Sequence, residues 1–230
     1  KPFIIKSSWQ IMLHYLYNHI SMNTKAVIFD IDGLLVDSET VAIEVAIKIC
    51  NSIGIELSPT EQQQIVGVTA TKFFSDLFKE RGESKYDLND TVKKFHEVYE
   101  NVLRTNIRPF IGAMSVPEHI KSQGLLMAVV SGSTERQVNI ILDFLNIKEL
   151  FDQIICAEDI TESKPNPEGY LLAAEKLEVS PKDCIVLEDA TAGVKAGKDA
   201  GMKVIGVRNN GDQDLSLADE VVDNLMEVQI

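Results

Sequence analysis

The sequence predicts an α/β protein: a parallel sheet covered by helices on both faces and interrupted once by a helical insert. Short apolar runs at 26–29, 125–130, 154–155, 185–187 and 204–207 have the length and character of buried strands. Helical patterns at 134–145, 167–177 and 191–200 separate the later runs, and this alternation indicates parallel crossover units. From 38 to 106 no strand pattern appears. Helical segments are expected there at roughly 39–53, 59–66, 71–81 and 88–105. Ser58-Pro59 is a helix start, and Gly54 and Gly82 are helix stops. The expected organisation is a core of 22–37 and 107–230, with 38–106 as a helical cap above the strand ends. In such sheets ligands gather at the carboxyl ends of the strands.

Residues 1–21 differ from the rest, with Trp9, Tyr15, Tyr17, two of the four histidines and no acidic residue. His14 and Asn18 break the apolar part of any signal peptide. The segment therefore reads as an extension, not necessarily native, ahead of a natural start at Met22. An N-terminal helix lying on the domain is the other reading.

The formal net charge of -13 argues against nucleic acid or an anionic membrane as partner. It also sets a problem for any phosphate-handling site, which would need a local positive centre such as a metal ion and a lysine. Cys50, Cys156 and Cys184 show no close pairing and read as buried thiols of a cytoplasmic protein. No apolar run approaches a membrane span.

Four strand ends carry the chemistry. Asp30-Ile31-Asp32-Gly33 follows the first strand. Continued alternation would point both acids the same way, whereas Gly33 suggests a turn that swings Asp32 over the pocket of Asp30. Such a pair can bind a divalent cation, or divide into nucleophile and proton carrier; a solvated loop is the plain alternative. Ser131-Gly132-Ser133-Thr134 joins a strand to a helix, as an ordinary cap or as a phosphate cradle. Ser163-Lys164-Pro165-Asn166-Pro167 holds a lysine in a stiffened loop, as a surface charge or as a fixed partner for a phosphoryl group. Glu188-Asp189 ends an apolar strand, where two adjacent acids are costly unless they meet a cation; a solvated strand-to-helix turn with Asp189 as a helix cap is the plain alternative. The four together supply what phosphoryl transfer needs.

These residues resemble the haloacid dehalogenase superfamily, in the branch of β-phosphoglucomutase and sugar-phosphate phosphatases. Asp30-Ile31-Asp32-Gly33, Ser131, Lys164 and Glu188-Asp189 match its four motifs in order, and Gly193, Ala196, Ala200, Gly201 and Met202 are typical of the branch. The resemblance implies a Rossmann-like core with an inserted α-helical cap and Mg²⁺ as cofactor. It implies that Asp30 forms an aspartyl-phosphate, and that Asp32 acts as general acid and base while giving its backbone carbonyl to the metal. Ser131 and Lys164, with Gly132, Ser133 and Asn166 nearby, would hold the phosphoryl group of a small phosphorylated metabolite. Asp30, Asp32, Glu188 and Asp189 would hold the metal, Asp37 and Ser38 would be the hinge, and the protein would act as a monomer. Asp32 argues against dehalogenation, since a departing halide needs no proton. In the cap, Ala42 stands where the mutases carry a histidine, and Gly67-Val68-Thr69-Ala70 lacks their arginine. Both departures favour a phosphatase over a phosphoglucomutase, with Lys72, Lys79, Lys85, Lys93 and Lys94 as candidate substitutes.

Overall fold

The computed structural model describes residues 24–65, 68–209 and 211–230. The expectations for residues 1–21 and Met22, and for Gly67, lie outside the described residues. Six strands form one sheet: β1 (Ala26–Phe29), β2 (Leu126–Val130), β3 (Gln153–Ile155), β4 (Cys184–Glu188), β5 (Lys203–Val207) and β6 (Glu220–Val222). Their order is β3-β2-β1-β4-β5-β6, with every pair parallel. This doubly wound arrangement is Rossmann-like, as expected. The chain winds one way from β1 through β2 to β3 and the other way from β4 to β6, which leaves a crevice at the carboxyl ends of β1 and β4.

Successive strand residues serve opposite faces. Val27, Phe29, Met127, Val129, Ile185 and Leu187 belong to one apolar cluster. Ala26, Ile28, Ala128, Val130 and Val186 belong to the other. The second face is covered by α7 (Glu168–Lys176) and α8 (Thr191–Asp199), through Tyr170, Ala173, Ala174, Val194 and Ala196. The first is covered by α6 (Glu135–Leu145), whose Val138, Ile141, Leu142 and Leu145 sit at helical spacing on one side. The structure adds β6 and α5 (Ser115–Ser122) to the elements anticipated.

Between β1 and β2 lie α1 (Ser38–Ser52), α2 (Pro59–Gln63), α3 (Ala70–Glu80) and α4 (Leu88–Thr105). The second of these ends at Gln63, ahead of the expected stop near 66. On α3 Phe73, Phe74, Leu77 and Phe78 are buried, and the Phe74 ring meets Phe95 of α4 edge-on. Phe74 is fully buried, so truncating it to alanine would cost about 3–5 kcal/mol. The insert meets the core along α4 and α6: Arg136 pairs with Glu100 at 2.6 Å, and Gln137 Nε2 lies 3.3 Å from His96 Nδ1. Among the described residues no helix is long and apolar enough to cross a membrane.

Within the insert, Arg81 ties the end of α3 to the start of α2. Its Nε and Nη2 donate to the two carboxylate oxygens of Glu61 at 2.7 and 2.6 Å, while Ser58 donates to the same carboxylate from its amide and hydroxyl. Arg81 first, and Ser58 second, hold the Glu61 carboxyl down at about 2. A depressed acid stabilises the fold above its ordinary value and stops doing so as pH falls through the native one. Glu61→Gln should therefore lower the melting temperature by about 2 °C at pH 7. That gap should close as pH falls from 4.5 toward 2; a gap independent of pH in thermal melts would contradict the ion pair.

Candidate active site

The register of β1 with its neighbours fixes the centre of the site. Phe29 is level with Val129 on one side and Leu187 on the other, so Asp30 comes level with Val130 and Glu188 at adjacent strand ends. The Asp30 amide donates to the Leu187 carbonyl at 3.1 Å and carries the ladder one residue past the strand. Lys164 arrives from the loop before α7. Its ammonium donates to Asp30 Oδ1, to Glu188 Oε1 at 2.7 Å and to the Val130 carbonyl at 3.1 Å. One cation thus joins the ends of β1, β2 and β4.

Glu188 is fixed from every side. Its Oε1 also accepts from the Tyr170 hydroxyl at 2.7 Å, and its Oε2 accepts from the amides of Asp189 and Ala190 at 3.0 and 3.1 Å. Space for it depends on Gly193, where an added Cβ would lie 1.7 Å from Glu188 Oε1. At Gly33 φ is +86°, and a Cβ would lie 2.0 Å from Asp189 Oδ2. Glycine there permits both the turn after Asp32 and the approach of Asp189.

Asp32 turns another way. Its Oδ2 accepts from the hydroxyls of Ser131 and Ser133 at 2.9 and 2.8 Å, and the Ser133 amide donates to Ser131 Oγ at 3.0 Å. The structure therefore joins Asp30, Lys164, Glu188 and Asp189 in one cluster and Asp32, Ser131 and Ser133 in a second beside it. Gly132 lies exposed in the same loop. Asn166 is exposed, and its Oδ1 accepts the Glu168 amide at 2.9 Å in a local turn at the start of α7. Asp37 caps α1 by accepting the Thr40 amide at 3.1 Å. The two crossings into the insert pair with each other, through the Asp37 amide on the Arg108 carbonyl (2.9 Å) and the Phe110 amide on the Leu35 carbonyl (3.0 Å).

Two contributors carried no signal in the sequence. Tyr170 reads there as one apolar position of a helix. Asn209 follows β5, is buried, and its amide donates to the carbonyls of Gly33 and Leu34 at 3.0 and 2.8 Å. That contact holds the turn carrying Asp32, and no local pattern could point across so long a separation in sequence.

Asp30, Glu188 and Asp189 each offer a carboxylate oxygen, and these atoms lie within 4.8 Å of one another. Burial pushes the Asp30 carboxyl well above its ordinary value; Lys164 opposes this, while Glu188 and Asp32 add to it. Burial does the same to Asp189, reinforced by Glu188, Asp30 and Glu39. Asp189 Oδ1 is buried with no hydrogen-bond partner among the described residues. An all-oxygen donor set, too acidic for one lysine and with an unsatisfied oxygen, suits a hard divalent cation. The carboxylate of Asp32 is not in that set, so any share it took would fall to its backbone carbonyl.

A family model described as haloacid dehalogenase-like hydrolase matches residues 27–207. The chain belongs to the haloacid dehalogenase-like hydrolases. Over 181 residues it is 31% identical to a phosphorylated carbohydrates phosphatase of Thermotoga maritima, covering 79% of this chain and 83% of that protein. Over 219 residues it is 28% identical to the bifunctional riboflavin kinase/FMN phosphatase of Arabidopsis thaliana. There the match covers 93% of this chain but 56% of the relative's length. A β-phosphoglucomutase structure from Clostridium difficile superposes with a TM-score of 0.76 at 25% identity, covering 90% and 94% of the two chains. This haloacid dehalogenase-like hydrolase is thus an enzyme with phosphatase relatives.

Gly193→Ala tests the packing of the cluster directly. With Glu188 displaced by the new methyl, the melting temperature should fall by several degrees and hydrolysis of a generic phosphate ester by roughly a hundredfold. Unchanged activity would show that Glu188 is not held as described.

Proposed function

We propose that this chain is a Mg²⁺-dependent phosphatase that hydrolyses a small phosphorylated metabolite, with a sugar phosphate as the substrate class, through an aspartyl-phosphate on Asp30. The observation that carries the reading is the Lys164 ammonium seated between Asp30 and Glu188, beside an Asp32 carboxylate held on the Ser131–Ser133 loop. The name of the Thermotoga maritima relative supports the substrate class.

In this reading Asp30 attacks phosphorus in line while the bond to the leaving oxygen breaks. Asp32 gives that oxygen its proton. Water then attacks the phosphorus of the aspartyl-phosphate, Asp32 takes the water's proton, and Asp30 is released as carboxylate. Lys164 carries the positive charge facing the phosphoryl oxygens. Ser131, Ser133 and the exposed Gly132 line its other side, where the two hydroxyls exchange Asp32 for the substrate. Asn166 keeps the Lys164 loop in shape. Asp30, Glu188, Asp189 and the Asp32 backbone carbonyl would hold Mg²⁺, which supplies charge stabilisation at the phosphoryl oxygens when bound.

The insert of 38–106 serves as the cap over a core of 22–37 and 107–230, with Asp37 and Ser38 at the hinge. Hydrolysis is favoured over isomerisation by Ala42, which packs on α1 against the apolar core with no group to hold a second phosphate. The three free, buried cysteines support a reducing, cytoplasmic setting.

Phosphate release from sugar phosphates should be abolished by EDTA and restored by Mg²⁺. Asp30→Asn should lower it by roughly a thousandfold or more. Metal-independent turnover, or full activity in Asp30→Asn, would sink the mechanism. Conversion of β-glucose 1-phosphate to glucose 6-phosphate faster than phosphate release would sink the phosphatase reading.

A further inference from the structure

We propose that Tyr170 is a positioning residue for the cation site, its hydroxyl fixing Glu188, one of the two carboxylates that the cation cluster and Lys164 share. The inference rests on the reading of Asp30, Glu188 and Asp189 as the divalent-cation cluster. Tyr170 is fully buried on α7, beneath the sheet face that carries β4. A buried phenol must place its proton, and this one is placed on Glu188 Oε1 at 2.7 Å. The same oxygen accepts from Lys164 at 2.7 Å, and the lysine ammonium lies 5.1 Å from the Tyr170 ring centroid. Tyr170 therefore touches the pair twice, through its hydroxyl to the acid and through its ring to the base.

The hydroxyl matters because of how Glu188 is otherwise held. The amides of Asp189 and Ala190 pin Oε2. Gly193 leaves no room beyond the carboxylate. With Tyr170 reduced to phenylalanine, Oε1 would have Lys164 as its remaining side-chain donor, and the carboxylate would be free to follow the ammonium. In the proposed reaction the lysine would turn toward a phosphoryl group, and the cation ligands would then shift with the substrate. The hydroxyl uncouples the two: Glu188 stays in place while Lys164 changes partners. Partners of metal-binding groups in this position are worth 10–100-fold in metal affinity or activity.

The test is calorimetric titration of the metal-free full chain with Mg²⁺ alone. Tyr170→Phe keeps the ring and its contact with Lys164 and removes only the hydroxyl. It should weaken Mg²⁺ binding about tenfold and lower kcat about tenfold at saturating Mg²⁺, with the substrate KM unchanged within about twofold. Leu177→Ala is the control: Leu177 is buried just past α7, away from the cluster. It should lower the melting temperature while leaving the Mg²⁺ titration at the wild-type position. In Glu188→Gln the further loss on adding Tyr170→Phe should be much smaller than in the wild type, since the hydroxyl acts through Glu188. Equal Mg²⁺ affinity in wild type and Tyr170→Phe, an equal loss in Leu177→Ala, or additive effects with Glu188→Gln would overturn the role of Tyr170 alone. A wild-type chain that takes up no Mg²⁺ would instead remove the cation reading on which the inference stands.

Discussion

A half-buried lysine flanked by two buried carboxylates organises the molecule's chemistry. Each buried charge costs several kcal/mol in desolvation, and breaking a buried pair leaves that cost uncompensated. Lys164 compensates Asp30 and Glu188 together, and it also draws on the Val130 carbonyl and the Tyr170 ring. It can do so because the parallel register brings the ends of β1, β2 and β4 side by side. The strain in charge is only partly relieved: Asp189 retains an oxygen without a partner, and burial still pushes Asp30 and Asp189 upward. In a chain of net charge -13, that residual demand for positive charge is what the proposed divalent cation would meet.

Close packing makes the cluster specific. Gly33 and Gly193 give up side chains so that Asp189 and Glu188 can enter. Asn209 crosses from the end of β5 to hold the turn that carries Asp32. The insert is joined to the same framework: its apolar residues continue the cluster on one sheet face, and its two crossings hydrogen-bond to each other near Asp37.

Much of this was legible in the sequence because it is local. Strand runs such as Val27-Ile28-Phe29 are buried on both faces and show as continuous apolar stretches. Asp30 and Ser131 stand immediately after such runs and Glu188-Asp189 at the end of another, so their placement followed from strand ends, whereas Lys164 lies in the loop before α7 and was marked by the prolines around it. What escaped notice depends on the third dimension. The β6 strand is a three-residue edge strand containing Glu220, too short for a periodic signal. The α5 helix carries Pro117 and has no side-chain cap, so its start is unmarked and Gly124 beyond its end is its one signal. Tyr170 is indistinguishable from core in sequence, since only its hydroxyl's partner reveals the role. The swing of Asp32 toward Ser131 and Ser133 depends on the angle of the turn at Gly33, which spacing does not set.

The central claim is that Asp30 takes the phosphoryl group. Acid quenching of the enzyme during turnover of a sugar phosphate, followed by peptide mapping by mass spectrometry, tests it most directly. The account predicts the added mass of one phosphoryl group on Asp30, removed by hydroxylamine. A phosphoryl group mapped to another residue, or turnover sustained with none found on the protein at any quench time, would contradict it.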